Sequence, residues 1–500
     1  MSILAWPIYV SFLGMLVLLL GNGMRSATAR RVALGTMLLA ALLTFVGAAR
    51  YDASGGWAEV ARVPWIPQFG IEYHLAVDGI SICLLLLTAI ASVVGVLFSW
   101  NIEHRTRGFY AFYLALIGGV YGVFLSRDLF LLLVFYEIAI VPKYFLIAIW
   151  GSTRKEYGAM KLVLYSFVGS ALSLAGIVAI LAMGWRQLGA PTMDLGVLGN
   201  VNWPHGFQLW VFPLMFIGFA FLAGLWPFHS WAPTGHVAAP TAMSMLLAGV
   251  VMKLGAYGAL RTGVALFPEG LVAWQGTLVT LGVVGILYGA LVALVQQDFK
   301  FVIGFSSVSH MGFVIIGLLT LNRYGLSGSV LQMFSHGVLA GLLFGVVGRM
   351  VYDRTHTRQL GDLEQMQLNK YLPFAAGTFV VAGVAAMGLP GFSGFVAELS
   401  ILTGAWSAFP GVAILAGVGI VLGVAYTLRA MRRAFFTDPP AGASEGGGHE
   451  LPPITIQEKV GALILLLASV VVGLYPRILL DYIMPSVDGL LATMAKGGAL

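Results

Sequence analysis

The chain has 500 residues; 59% are hydrophobic, only 10% are charged, and the formal net charge is +6. An ordinary soluble domain carries about a quarter charged residues, so a soluble globular protein and a disordered chain are both excluded. The single cysteine, Cys83, excludes a disulfide framework and any cysteine-ligated zinc or iron–sulfur centre within the chain.

A bilayer-spanning helix needs about 20 apolar residues. Scanning at that length predicts an all-α polytopic membrane protein with about fourteen transmembrane helices. They lie near 3–21, 32–48, 77–100, 109–126, 128–150, 159–184, 208–228, 237–262, 271–295, 300–321, 328–351, 371–408 (broken), 409–431 and 456–476. The runs are continuously apolar and do not alternate, which predicts helices and not a barrel. The first run has no basic segment before it and no cleavage site, and is read as a retained span. Loops after odd-numbered spans hold about twice as many Lys and Arg as those after even-numbered spans, which predicts a cytoplasmic basic side and both termini outside. The positive charge is therefore a topology signal and no nucleic-acid partner is expected, since no basic patch interleaves with aromatics. Thr437 to Pro453 reads as a flexible cytoplasmic loop, and the tail after Arg477 as a short amphipathic helix on the outer surface.

Six ionisable residues fall inside apolar spans: Glu137, Lys143, Lys253, His310, His336 and Glu398. Each costs about 2.5–3.5 kcal/mol or more at bilayer depth unless paired or hydrated. Taken singly, an intramembrane histidine is often a hydrogen-bonded packing residue, and a lysine near a helix end snorkels. Lys143 lies about 10 Å of helix rise from the end of its span, which is far for that, and Lys253 is similarly deep. Acids, bases and imidazoles spread over successive spans are what a proton relay needs. Asp78, Asp128 and Asp298 sit at span ends, where they are less costly. Two Gly/Pro-rich breaks, Gly224 to Pro240 and Gly388 to Phe395, interrupt the apolar pattern. Unwound backbone at membrane depth is tolerated only inside protein or beside a wet cavity. Breaks in corresponding positions of two halves point to an inverted-repeat transport fold; simple kinks that aid packing are the other reading.

At these residues the chain resembles a known family. DLFLLLVFYEIAIVPKYFLIAIWG, WPFHSW, LLAGVVMKLGAYG, FSSVSHMGF, SHGVLAGLLF, VYDRTHTRQL and GLPGFSGFVAEL are together similar to the antiporter-like membrane subunits of NADH–quinone oxidoreductase (complex I), of the subunit M or chain 4 kind, from about residue 70 to 430. The resemblance implies two inverted five-helix repeats and two broken helices. The implied division is N-terminal helices 1–3 over 1–105, a first repeat (helices 4–8) over 106–265, a second (helices 9–13) over 266–431, a loop over 432–455, and helix 14 with a tail over 456–500. It implies proton translocation driven by redox chemistry elsewhere in the complex, beside L-like and N-like chains in a bacterial cytoplasmic membrane. By motif position it implies Glu137 as the fifth-helix glutamate, Lys253 as the central eighth-helix lysine, His310 and His336 on a polar axis, and Glu398 as the twelfth-helix acid. No cofactor or metal is expected in this chain: there is no phosphate loop or cysteine cluster, and a haem between His310 and His336 competes poorly with the motif reading.

The chain also departs from the family. Leu222 stands where the family has a seventh-helix lysine, APTGH replaces LPDAH, and Lys143 occupies a position that is usually apolar. Lys143 is therefore a possible charge partner of Glu137. Six residues on an ideal helix give about 9 Å of rise and 240° of rotation, a poor geometry that Pro142 can distort; a partner acid on another subunit is the alternative. A subunit of a multisubunit cation/proton antiporter or membrane-bound hydrogenase, or a scaffold with an impaired channel, are the competing functions.

Overall fold

The computed structural model describes residues 2–437 and 451–496. Its helices are α1 (Trp6–Leu20), α2 (Ser26–Ala49), α3 (Gly79–Phe98), α4 (Thr106–Leu125), α5 (Leu129–Trp150) and α6 (Lys155–Leu188). Then come α7 (His205–Ala223) and α8 (Trp231–Ala238), α9 (Thr241–Val264), α10 (Pro268–Val295) and α11 (Phe299–Leu319). The last are α12 (Arg323–Thr355), α13 (Pro373–Ala386), α14 (Ser393–Ala408), α15 (Pro410–Phe435), α16 (Ile456–Leu474) and α17 (Arg477–Lys496). Apolar runs that must satisfy every backbone group without water form helices. Their starts are fixed by side-chain caps: Asp78, Asp128, Asp298 and Asn322 each accept from backbone N–H groups of the first turn, and Thr455 with Glu458 forms a capping box.

α7 and α8 together make the seventh span and α13 and α14 the twelfth, so fourteen spans are present. α13 begins at the end where Phe379 meets Phe299 and Phe435. α14 finishes at the opposite end, where Asn322 Nδ2 donates to the Gly404 carbonyl at 2.8 Å. The seventh-span break differs from expectation. It falls within the span, over residues 224–230, and eight of the last ten residues of the predicted interruption are helical as α8. Pro233 sits in the first turn of α8 and Pro240 before α9, where a missing N–H is harmless. The loop reading of Thr437 to Pro453 falls mostly outside the described residues.

A strictly all-α reading is corrected in one place. Ala58–Ile66 (β1) and Ile71–Val77 (β2) form an antiparallel hairpin, closed by Gly70 at φ 62°. Pro64 and two register irregularities hide the alternation in the sequence. The hairpin covers one end of the bundle, here called the hairpin end. α17 lies across that same end. Ser486 Oγ accepts from Gly79 N–H at 2.8 Å, Tyr482 OH donates to the Ala48 carbonyl at 3.3 Å, and Asp488 pairs with Arg323 at 3.1 Å. These three contacts are with the ends of α2, α3 and α12.

The inverted repeat is visible as one motif built twice on opposite ends. At the hairpin end Asp128 caps α5 and bridges to Asp194, with Leu195 N–H donating to Arg127 O at 2.9 Å. At the other end Asp298 caps α11 and bridges to Gln359, with Leu360 N–H donating to Gln297 O at 2.8 Å. Each bridge is followed by a one-turn helix, Leu195–Leu198 and Leu360–Leu363. The apolar stretches of α9 and α12 are buried throughout, whereas those of α1, α2, α6, α15 and α16 are buried over well under half of their length. α9 and α12 are therefore the axis of the molecule. Both contain π-turns, at Leu247–Val251 and Ala259–Val264 in α9 and at Gly345–Tyr352 in α12, a distortion found where a helix serves a site.

Asp194 ties the hairpin down. Its Oδ1 accepts from Gly196 and Val197 N–H, and the His74 ring approaches its Oδ2 at 2.9 Å. Burial works against the carboxylate, but His74 and the two N–H groups prevail and hold it down to about 2. A carboxyl depressed on folding stabilises above its unfolded value and loses that contribution as pH falls through the folded one. Asp194→Asn is therefore expected to lower stability by about 1–2 kcal/mol at neutral pH. The difference from wild type should shrink between about pH 4 and pH 2. Thermal unfolding in detergent across that range checks it.

Candidate proton-relay axis

The line begins at Lys253, fully buried in the α-helical turn between the two π-turns of α9. Its Nζ donates to the Ala248 carbonyl and lies 2.6 Å from His336 Nδ1 on α12. Without such partners an ammonium at this depth is untenable. The His336 ring is 5.5 Å from that of His310, centroid to centroid, at 38°. His310 Nδ1, on α11, is 3.2 Å from Glu398 Oε1 on α14. Four of the six predicted residues thus form one continuous row across α9, α12, α11 and α14.

The other two stand apart from it and from each other. Lys143 is fully buried on α5, and its Nζ has no hydrogen-bond partner among the described residues. Glu137 is half-buried with Oε1 enclosed and likewise unpartnered. No ion pair within 4 Å joins them, as the helical geometry of six residues foretells. Leu222 is buried in α7, where Gly255 lets α7 and α9 approach backbone to backbone.

Several participants carry no charge and left no signal in a search for charges. Gln332 Nε2 sits 3.4 Å from His310 Nδ1 and 3.5 Å from Glu398 Oε1. Gln332, Ser335 and His336 share one face of α12 at helical spacing, and that periodicity was the available clue. Ser335, Ser393 and Ser469 join hydroxyl to hydroxyl at 2.8 and 3.0 Å, linking α12, α14 and α16. The space bounded by His310, Gln332, Ser335, His336 and Glu398 leaves about 10 Å³ for the centre of a water molecule, room for one water. His236 on α8 is also fully buried with both ring nitrogens unpartnered among the described residues.

One trio among the described residues, Glu72, His74 and Asp194, brings three possible ligand atoms within 4.8 Å of one another. Arg62 already bonds Glu72 at 2.7 Å and lies 3.7 Å from Asp194. The guanidinium supplies the positive charge there, and the trio is an ion-pair cluster with His74 and Asp194 buried.

This arrangement, two inverted five-helix units with a buried lysine, imidazole and carboxylate row between broken helices, defines an antiporter-like membrane subunit. A family model described as NADH:quinone oxidoreductase/Mrp antiporter, transmembrane, matches residues 126–423. NADH-quinone oxidoreductase subunit M of Escherichia coli is 35% identical over 493 residues, 96% of each chain. NAD(P)H-quinone oxidoreductase chain 4 of a Synechococcus species is 37% identical over 448 residues, 87% of this chain and 83% of the relative. A chain of respiratory complex I from Thermus thermophilus superposes with a TM-score of 0.88 at 27% identity, covering 98% of this chain and 99% of that one. A chain of the Mrp complex from a Dietzia species shares the fold, at TM-score 0.83 and 21% identity, over 100% of this chain and 99% of that one. The chain belongs to the NADH:quinone oxidoreductase/Mrp antiporter family, and within it to the subunit M or chain 4 group.

Gly388 opens the twelfth-span break at φ 80°, and a Cβ there would stand 2.9 Å from Glu398 Oε2. Gly388→Ala should cost about 1–2 kcal/mol from the left-handed backbone alone. It should also push the carboxylate off His310. A lowered thermal midpoint, together with a changed Glu398 carboxyl band in infrared difference spectra, checks both effects.

Proposed function

We propose that this chain is the proton-translocating, antiporter-like membrane subunit of a respiratory NADH–quinone oxidoreductase. It couples electron transfer in other subunits to proton movement through its own helices. It works beside the L-like and N-like membrane chains and carries out no redox step itself. The observation that carries the reading is the Lys253–His336–His310–Glu398 row on the buried central helices, joined by polar contacts at both ends and by adjacent imidazole rings in the middle. The charge bias of the loops supports a bacterial cytoplasmic membrane with the hairpin end and both termini outside.

The chemistry follows from the donors and acceptors. A charged Lys253 that donates to Nδ1 leaves the His336 ring neutral, with its proton on Nε2. That nitrogen is buried and has no partner among the described residues, and the next ring along the row is His310. A proton passed to His310 meets Glu398 at Nδ1, with Gln332 bracing both. Lys253 is the proton carrier, the histidines relay, and Glu398 is the acid at the exit side.

Moving a proton against about 150 mV takes roughly 3.5 kcal/mol. Widening a single charge pair from about 5 to 10 Å at an effective dielectric near 20 changes its energy by only about 1.7 kcal/mol. Wetting and drying of the row, or a second coupled charge, must supply the remainder. Glu137 and Lys143 are that second pair: with Leu222 in the place of a lysine, Lys143 provides the positive charge of the first repeat. Their present separation makes the coupling electrostatic and not a contact.

Lys253→Ala in the assembled complex, reconstituted in vesicles, is expected to retain electron transfer and lose part of the protons moved per electron pair. Full stoichiometry would sink the assignment. Lys143→Met is expected to slow pumping, and Leu222→Lys introduced beside it to restore pumping. Sodium-driven and not proton-driven transport would instead make the chain a cation/proton antiporter subunit.

A further inference from the structure

A second set of buried charges lies apart from the row, where α17 crosses the hairpin end. A cavity of about 210 Å³ opens there between α17, the start of α3, the end of α9 and the turn before α5. Its charged lining is Asp78, Arg127 and Arg261, with Trp57, Asn200 and Thr493 around them. Within this lining two cations face one acid, with Asp194 beside Arg127 just outside it. Asp78 is committed: it bonds Arg261 Nη2 and accepts from Ser81 N–H at 2.9 Å. Arg261 is buried, and its Nε has no partner among the described residues. Arg127 makes no ion pair within 4 Å with any described acid.

The two guanidiniums are also held in place. Arg127 Cζ lies 3.7 Å and Arg261 Cζ 4.5 Å from the centre of the Trp57 ring, a stacking that fixes a planar cation while leaving its N–H edge free. The Arg127 backbone is clamped on both sides, its N–H to His74 O and its carbonyl to Leu195 N–H, each at 2.9 Å. Burial and the neighbouring Arg261 charge outweigh the opposing pull of Asp194 and Asp78 and push the Arg127 guanidinium down to about 10. Crowded like charges of this kind are what a bound anion relieves.

We propose that this cavity is a phosphate-binding site in which Arg127 and Arg261, seated on Trp57, grip the oxygens of a phosphodiester or phosphate. Planar guanidiniums at fixed spacing match phosphate oxygens. The cavity lies at the ends of the spans, where the headgroups of a bilayer would meet it, and Leu195, Leu266 and Leu490 form an apolar side to it. An anionic phospholipid headgroup and free phosphate share this recognition chemistry, and the test separates them.

The full-length chain, delipidated in detergent, is titrated with phosphatidylglycerol, phosphatidylcholine and inorganic phosphate, and bound species are counted by native mass spectrometry. The expected result is one saturable anionic site that Arg127→Gln weakens about ten-fold and Arg127→Lys weakens less. Asn200 is exposed at the rim, so Asn200→Asp should weaken binding comparably without endangering the fold. It keeps the test valid if Arg127→Gln does not fold. Binding of phosphatidylglycerol that phosphate cannot displace assigns a headgroup; displacement by phosphate, or phosphate binding alone, assigns the free anion. The proposal is overturned if both lipids bind equally in wild type, Arg127→Gln and Asn200→Asp with no phosphate bound. It is overturned too if Arg127 in the assembled complex cross-links to an acidic segment of another subunit while no phosphate binds.

Discussion

Everything in this molecule is arranged around keeping one ammonium group inside a hydrocarbon-thick bundle. Lys253 is enclosed on all sides, and bulk water cannot solvate it. Two partners take that place: a backbone carbonyl five residues back, across a π-turn, and an imidazole nitrogen on the neighbouring helix. The π-turn, the complete burial of α9 and α12, and the placement of His336 all serve this contact. A lysine stabilised by a carbonyl and a titratable ring, and by no fixed carboxylate, keeps the freedom to lose its proton. A tight ion pair there would hold the charge in place.

The broken helices follow from the same need. Glycine at positive φ allows the twelfth span to unwind beside Glu398, and the halved helix lets an acid approach His310 from a direction that a straight helix could not offer. Helix packing alone would favour uninterrupted rods. The seventh-span break buries Gly224 and Leu225 against α9, whereas the twelfth-span break packs Gly391 and Phe392 against α16 and leaves Leu389 and Pro390 exposed.

The parts of this architecture that were readable in the sequence are those whose chemistry clashes with a membrane. Glu137, Lys143, Lys253, His310, His336 and Glu398 were found because a charge or imidazole in an apolar run stands out, and four of them converge. The sequence could not say which face of α5 carries Lys143 relative to Glu137, because a helix containing Pro142 has no assured phase. Gln332 and the three linked serines escaped because neutral polar groups are common in packed spans. The hairpin escaped because a nine-residue strand containing Pro64 looks like a loop beside fourteen long apolar runs. The seventh-span break was placed too broadly, since prolines in a first turn look the same in sequence as prolines that end a helix.

The cross-lying position of α17 has a mechanical consequence. It is fastened to Ala48 and Gly79 in the N-terminal helices and to Arg323 at the start of α12, all at one end. α3 and the second repeat are thereby girdered together on that side, while on the opposite side Arg358 bonds Asp298 of the second repeat and reaches Ser152 Oγ at 3.4 Å and the Val237 carbonyl at 3.3 Å in the first. Tilting of the second repeat therefore works against fastenings at both ends of its helices, to the N-terminal helices at one and to the first repeat at the other.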